Sequence, residues 1–255
     1  MTEDFIVAVA RGKVQGVSRF YKIGKNADID TAASEDVISQ GGTWAAPTTA
    51  EKVNIVSTSA NDTANGTGLR TLTITGLSDT YAEVSETMTL NGTSNVLSVN
   101  KYSIVYRMIG NTAGSTGANV GTITCTSTAA NSSVQQQMQP TENQSQSIVY
   151  QVPLGKTLLL YDWAISTAST AFATGNLLIK PFGGVFNIRG NTIVNGSGST
   201  SDMYDFHIPL KLTEKTTVKI VATVSANNQN ISATMQGILI DNTVNELGYD
   251  ETLVG

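Results

Sequence analysis

One histidine, one cysteine and five prolines occur in 255 residues, and charged side chains make up only 14% of the chain. Each shortage removes a class of chemistry. A lone cysteine, Cys125, admits no intrachain disulfide, so the fold has to be held by packing or by subunit association, and the chain reads as made in a reducing compartment. One histidine and one cysteine cannot supply a zinc site of ordinary nitrogen and sulfur ligands. Basic runs are missing and the net charge is −5, which argues against a nucleic-acid groove, because phosphate binding needs clustered Lys and Arg. No stretch approaches the ~18 apolar residues of a membrane span. The start, "MTEDFIVAVARGK", carries acids where a signal peptide has its basic segment. The expectation is a protein made in the cytoplasm, with neither nucleic acid nor membrane as partner and no cofactor.

What fills the chain instead is Ser, Thr, Asn, Gly and Ala arranged in alternating runs. In "GLRTLTITGLSDTYAEVSETMTLNGT", Leu72 and Ile74 face one way and Thr71, Thr73 and Thr75 the other, the period of a half-buried strand. A second run follows the turn "GLSDTY" and ends at Asn91-Gly92, a dipeptide suited to a tight hairpin turn. With "VNIVSTS" from Val53 ahead of them and further strands at Val96–Val99, Tyr102–Ile109 and Thr122–Thr126, six are read for a small first domain. After Pro140, seven or eight more runs, from "SIVYQV" to "ISATMQGILI", are spaced as in a sandwich or jelly roll. Helix signals are scarce, the best being Ala32–Ser39 behind Asp30.

The expected fold is all-β, with two antiparallel β-sandwich or jelly-roll-like domains and an extended N-terminal arm. The boundaries are an arm at 1–50, a small β domain at 51–130, a polar Gln-rich linker at 131–145, a second β domain at 146–245 and a tail at 246–255. Two fragments, Val152–Leu160 and Ile208–Ile220, share a Pro-Leu, Lys-Thr pattern that would suit an internal repeat.

Constellations for chemistry were weighed against these strands. His207 in "MYDFHIPL" shares a face with Asp205, but no G-x-S-x-G elbow offers it a nucleophile, and it reads as a surface or subunit-contact residue. Asn26, Asp28 and Asp30 begin like a calcium loop, which then fails at Thr31, where glycine is needed, and at Val37, where a bidentate Glu is needed. Glu83, Glu86, Asp162, Asp202 and Asp205 could supply a glycosidase pair by spacing alone. Sugar-stacking tryptophans are limited to Trp44 and Trp163. "KPFGGVF" lacks phosphate-loop spacing and reads as a hairpin. The chain is therefore expected to be no enzyme, with no catalytic, cofactor or metal residue.

The phrases "GTGLRTLTITGLSDTYAEVSETMTLNGT", "GNTAGSTGANVGTIT", "VPLGKTLLL", "KPFGGVFNI" and "IPLKLTEKTTVKIVATVSANNQNISATMQGILID" resemble tailed-bacteriophage virion proteins of the accessory type, over most of residues 53–241. That resemblance implies β modules that decorate or cement a capsid shell, as a homo-oligomer with a trimer favoured, bound to the major capsid protein or other virion proteins and located in the virion. Alternatives it leaves open are a tail, collar or fibre subunit and a double jelly-roll major capsid protein. From a different class comes a carbohydrate-binding adhesin, which would need an aromatic platform near Trp44 or the tyrosines.

Within the arm, aromatics and bases mix as nowhere else in the chain. Phe5, Arg11, Lys13, Arg19, Phe20, Tyr21, Lys22 and Lys25 are therefore the expected interface residues, since Tyr, Phe and Arg dominate interface energetics.

Overall fold

A computed structural model of the chain describes residues 4–128, 133–168, 170–194 and 200–243. The protein is all-β, 56% strand and 3% helix, built as small antiparallel sheets. Among the described residues one short helix, α1 (Phe5–Ala10), precedes the strands β1 (Val17–Ile29), β2 (Glu35–Asp36), β3 (Val53–Ser57), β4 (Leu69–Leu77), β5 (Glu83–Thr89), β6 (Val96–Leu97), β7 (Ile104–Ala113), β8 (Ile123–Ser127), β9 (Val134–Met138), β10 (Tyr150–Gln151), β11 (Lys156–Thr167), β12 (Ala173–Lys180), β13 (Asn187–Val194), β14 (Thr200–Leu212), β15 (Thr217–Val224) and β16 (Gln229–Asp241).

They form four sheets, ordered β1-β16-β11-β14, β10-β15-β12-β13 with β2 also on β15, β6-β3-β8-β9, and β5-β4-β7. The first two share one apolar core and the last two a second. We call the unit of β3 to β9 the inserted unit, because the chain leaves the body after β2 and returns to it at β10. Leu77, Ile104 and Tyr106 of the inserted unit belong to the body's core, so the units are joined by apolar burial.

Alternation explains the strands. β3 and β12 bury every second side chain, which places Val53 and Ile55, or Leu177 and Ile179, inside while their neighbours meet water. Trp163 on β11 shows how tightly the body's sheets meet. It is fully buried against Gly175 and Gly190 of the facing sheet, where a Cβ on Gly190 would stand 2.9 Å from the indole nitrogen.

Several expectations are corrected by the fold. The N-terminal arm is not extended away from the body: β1 pairs with β16 from Val17↔Ile240 to Ile29↔Gln229. Its weak periodicity arose because Lys22 and Asn26 occupy inward positions with Phe20, as polar groups that hydrogen-bond inside. Ahead of it, Asp4 caps α1 by accepting from the amides of Ile6 (2.9 Å) and Val7 (3.3 Å), and Gly12 follows the helix at φ 68°. That Asp-to-Gly spacing was the available helix signal. The helix expected at Ala32–Ser39 contains β2 instead, held to β15 by Val221↔Asp36.

The polar linker carries β9, paired with β8 over Ile123↔Met138 and Cys125↔Gln136. Gln135 and Gln136 are buried there and donate to the carbonyls of Ala45 (3.1 Å) and Val105 (2.9 Å), so amide hydrogen bonds do what apolar periodicity does elsewhere. The Pro-Leu fragments are not equivalent, since Pro153 precedes β11 whereas Pro209 lies within β14. The tail at 246–255 lies outside the described residues.

Candidate functional site

The residues expected to form an interface do not share one surface. Phe5 and Tyr21 are exposed, and Arg19 lies over the Tyr21 ring, 5.0 Å from its centre. Phe20, however, is only 6% exposed, packed on Tyr150 with ring centres 4.7 Å apart. Lys22 is 4% exposed and donates to the Tyr106 carbonyl. Lys25 pairs with Glu142 at 3.4 Å. Arg11 and Lys13 are exposed beside α1. Strand alternation divides the set, because consecutive residues of β1 point to opposite faces.

Burial, and next the Arg107 guanidinium, hold the Lys22 amine well below its ordinary pKa. The other residues weighed for chemistry are tied into structure. Asn26 donates to Glu35 (3.0 Å) and to the Asp36 carbonyl (3.1 Å), while Asp30 accepts from the Asn228 amide (3.0 Å). Glu86 accepts from the amides of Val99 (2.7 Å) and Asn100 (3.0 Å), Glu83 from the Tyr106 hydroxyl, and Asp202 from Thr192. Asp162 stands opposite Asp205 across β11 and β14, and burial first and Asp205 in addition raise its pKa, against a hydrogen bond from Gln236. His207 is exposed on β14.

Two other places have the geometry of recognition surfaces. The first is the open rim of the body, where β13 ends one sheet and β14 ends the other. Val185, Ile188, Ile193, Met203, Tyr204 and Ile208 stand exposed along this rim, Ile208 with 82% of its surface in solvent. Ile188 sits opposite Leu178 and Ile193 opposite Thr174, on the outward face of their sheet, while Met203 faces outward opposite Ala164 on the other.

The second is a cleft of about 470 Å³ between the units, walled by Trp44 and its following loop, the β4–β5 turn, the β12–β13 hairpin and the β14–β15 turn. Tyr81 and Phe182 meet edge to face there at 5.4 Å, with the Lys215 ammonium over both rings. Beneath it, buried Asp36 takes Lys219 at 2.8 Å and the Trp44 amide at 2.7 Å. Burial raises the Asp36 pKa, and Lys219 opposes that shift.

Sequence reasoning missed the rim, whose one local signal was the apolar side chains Val185, Ile188, Ile193 and Ile208 amid polar neighbours, and touched the cleft only through the aromatic platform considered near Trp44 or the tyrosines, because its other residues are far apart in the chain.

No protein-family model and no curated protein matches this chain. Among solved structures it is similar to a chain of the infectious bursal disease virus Gt strain, at 9% identity, covering 96% of this chain and 80% of that one with a TM-score of 0.25. A chain of the Gx strain gives 8% identity, 94% and 78% coverage and a TM-score of 0.24. The VP2 subviral particle of the same virus gives 10%, 95% and 79%, with 0.22. Superposition at that level leaves fold and function to be argued from this chain's own residues.

Proposed function

We propose that this chain is a non-enzymatic virion structural protein, a capsid decoration or cement subunit whose paired sheets are β-sandwich modules of the jelly-roll kind. The observation that carries the reading is the apolar rim of β13 and β14. Two adjacent sheet edges with large exposed apolar side chains are what natural proteins cover or pair. A homo-oligomer, with a trimer favoured, would bury them between copies or against the shell. The resemblance of residues 53–241 to phage virion proteins supplies the particle to which such a subunit attaches. Two of the carboxylates that could have carried hydrolysis, Glu83 and Glu86, accept structural hydrogen bonds instead, in keeping with a building role.

Light scattering and co-sedimentation with virions test this. Wild-type protein is expected to be a homo-oligomer that pellets with particles. The double variant Ile188→Glu/Ile208→Glu, changed only at exposed positions, should keep its melting temperature and stay in the supernatant. A wild-type monomer that fails to pellet, or a variant that still pellets, would sink the assignment. Copy number per virion separates a shell subunit from a tail, collar or fibre one.

A further inference from the structure

Two loops of this protein hold a bulky residue where the backbone favours glycine, and the two side chains meet. Tyr81 in the β4–β5 turn has φ 64° and Lys215 in the β14–β15 turn has φ 62°. The left-handed region is costly for a residue with a Cβ, and glycine adopts it freely. Local hydrogen bonding accounts for the backbone shape alone: the Tyr81 amide donates to Ser78 at 3.1 Å and the Lys215 amide to Val152 at 2.7 Å. Nothing in those bonds calls for a phenol ring or an ammonium group.

What the two side chains do is converge. The Lys215 ammonium lies 5.2 Å from the centre of the Tyr81 ring and 4.9 Å from that of Phe182. Phe182, at the tip of the β12–β13 hairpin, is 59% exposed, so its ring is presented rather than packed away. Further along the same wall Phe186 lies 5.5 Å from the Lys180 ammonium. Lys219 is neutralised by Asp36, whereas among the described residues neither Lys180 nor Lys215 forms an ion pair. The cleft thus offers aromatic rings and two unneutralised cations, with Asp79 at its margin and Thr48 and Thr217 on its sides.

We infer that this cleft binds an acidic saccharide of the uronate type. Aromatic rings accept the C–H faces of pyranose units, the two ammonium groups attract the sugar carboxylates, and Asp79 and the threonines suit ring hydroxyls. A single-stranded DNA would share the stacking and a charge per unit, but its internal sugars carry no free hydroxyl for Asp79 and the threonines, whereas uronate units keep theirs. The inference does not rest on the assembly reading, although the β12–β13 hairpin that carries Val185 of the rim also walls the cleft.

Calorimetry of the full chain with uronate hexamers from alginate and polygalacturonate, with maltohexaose and with a twelve-residue oligothymidylate, tests it. A uronate hexamer should bind, maltohexaose and the oligonucleotide at least about tenfold more weakly, a difference of ~1.4 kcal/mol. Lys215→Gly should melt no earlier than wild type, because it relieves the strained φ, and yet bind uronate about tenfold more weakly. Should that variant melt early, Phe182→Ala at the exposed hairpin tip gives the same reading. Silence from both uronates, equal binding of maltohexaose or oligonucleotide, or full binding by Phe182→Ala would overturn the inference.

Discussion

Along β4, Thr71, Thr73 and Thr75 hydrogen-bond across the sheet to Thr112 (2.6 Å), Thr87 (2.8 Å) and Ser85 (3.1 Å). Along β13 and β14, Ile188, Ile193, Met203 and Ile208 stand in solvent with no such cover. Both regions obey the same strand alternation, so secondary structure does not distinguish them. The β5-β4-β7 sheet covers much of its outer face with hydroxyl pairs that satisfy one another, although Ile109 opposite Thr73, and Leu97 and Val99 beyond the sheet, stay exposed on this unit too. The body leaves apolar area unburied, at roughly 25 cal/mol per Å² of incentive for association. On the function proposed above, the body's rim would be the attachment surface and the hydroxyl face of the inserted unit the one turned to solvent.

The two units also bury carboxylates differently. Asp62 in the inserted unit accepts from the amides of Leu69 (2.8 Å), Val120 (2.9 Å) and Gly121 (2.8 Å) and from the Ser57 hydroxyl (2.6 Å). No cation is needed, because four donors converge from the end of β3, the start of β4 and the loop before β8. Asp36 in the body depends on one lysine from β15. The body should therefore be the more sensitive to loss of a single long-range partner.

The largest effect expected from that asymmetry is the removal of residues 1–25, which takes away most of β1 from the body's first sheet. Circular dichroism and thermal scans should show loss of the cooperative melt. A truncated protein that melts normally would show that β1 is dispensable, as an arm would be. Next comes Lys219→Met, which strands the Asp36 carboxylate and should cost about 3–5 kcal/mol in denaturant unfolding. Adding Asp36→Leu should recover much of that loss, and failure to recover would mean that the pair does more than neutralise itself. Gly190→Val comes third. It pushes a side chain against the Trp163 indole and should cost about 1–3 kcal/mol.

The most subtle prediction is a pH slope. Lys22 is held below its ordinary pKa, so the unfolded chain binds a proton that the folded chain lacks, and stability rises with pH up to the ordinary lysine range. Tyr102, Tyr106, Tyr150 and the Cys125 thiol are shifted upward, mainly by burial, so the unfolded chain loses protons that the folded chain keeps, the thiol's above about pH 8.5 and the phenols' above about pH 10, and stability falls. Urea unfolding at a series of pH values should show a climb to about pH 8.5, a plateau where the thiol offsets Lys22, and then the fall. In Lys22→Met the climb should vanish and the fall remain. A wild-type profile flat from about pH 7 to 8.5 would mean that Lys22 keeps an ordinary affinity for its proton.

Alternation, turn residues and composition are local properties, and from them the all-β class and most strand positions could be read directly, whereas the tight hairpin expected at Asn91-Gly92 does not form, because β5 pairs with β4 and β6 with β3 in another sheet. Residues such as Leu72, Ile74, Leu177 and Ile179 carry their inward direction in their spacing. Partner choice is another matter. That β1 closes on β16 more than 200 residues later, that Gln136 belongs inside and that Lys22 can be buried all depend on carbonyls and rings supplied by distant strands, so no window along the chain contains the information. The same holds for the cleft, where Tyr81 and Lys215 are unremarkable turn residues in sequence. Tertiary packing alone brings their strained backbones face to face, because the inserted unit docks its β4–β5 turn against two loops of the body.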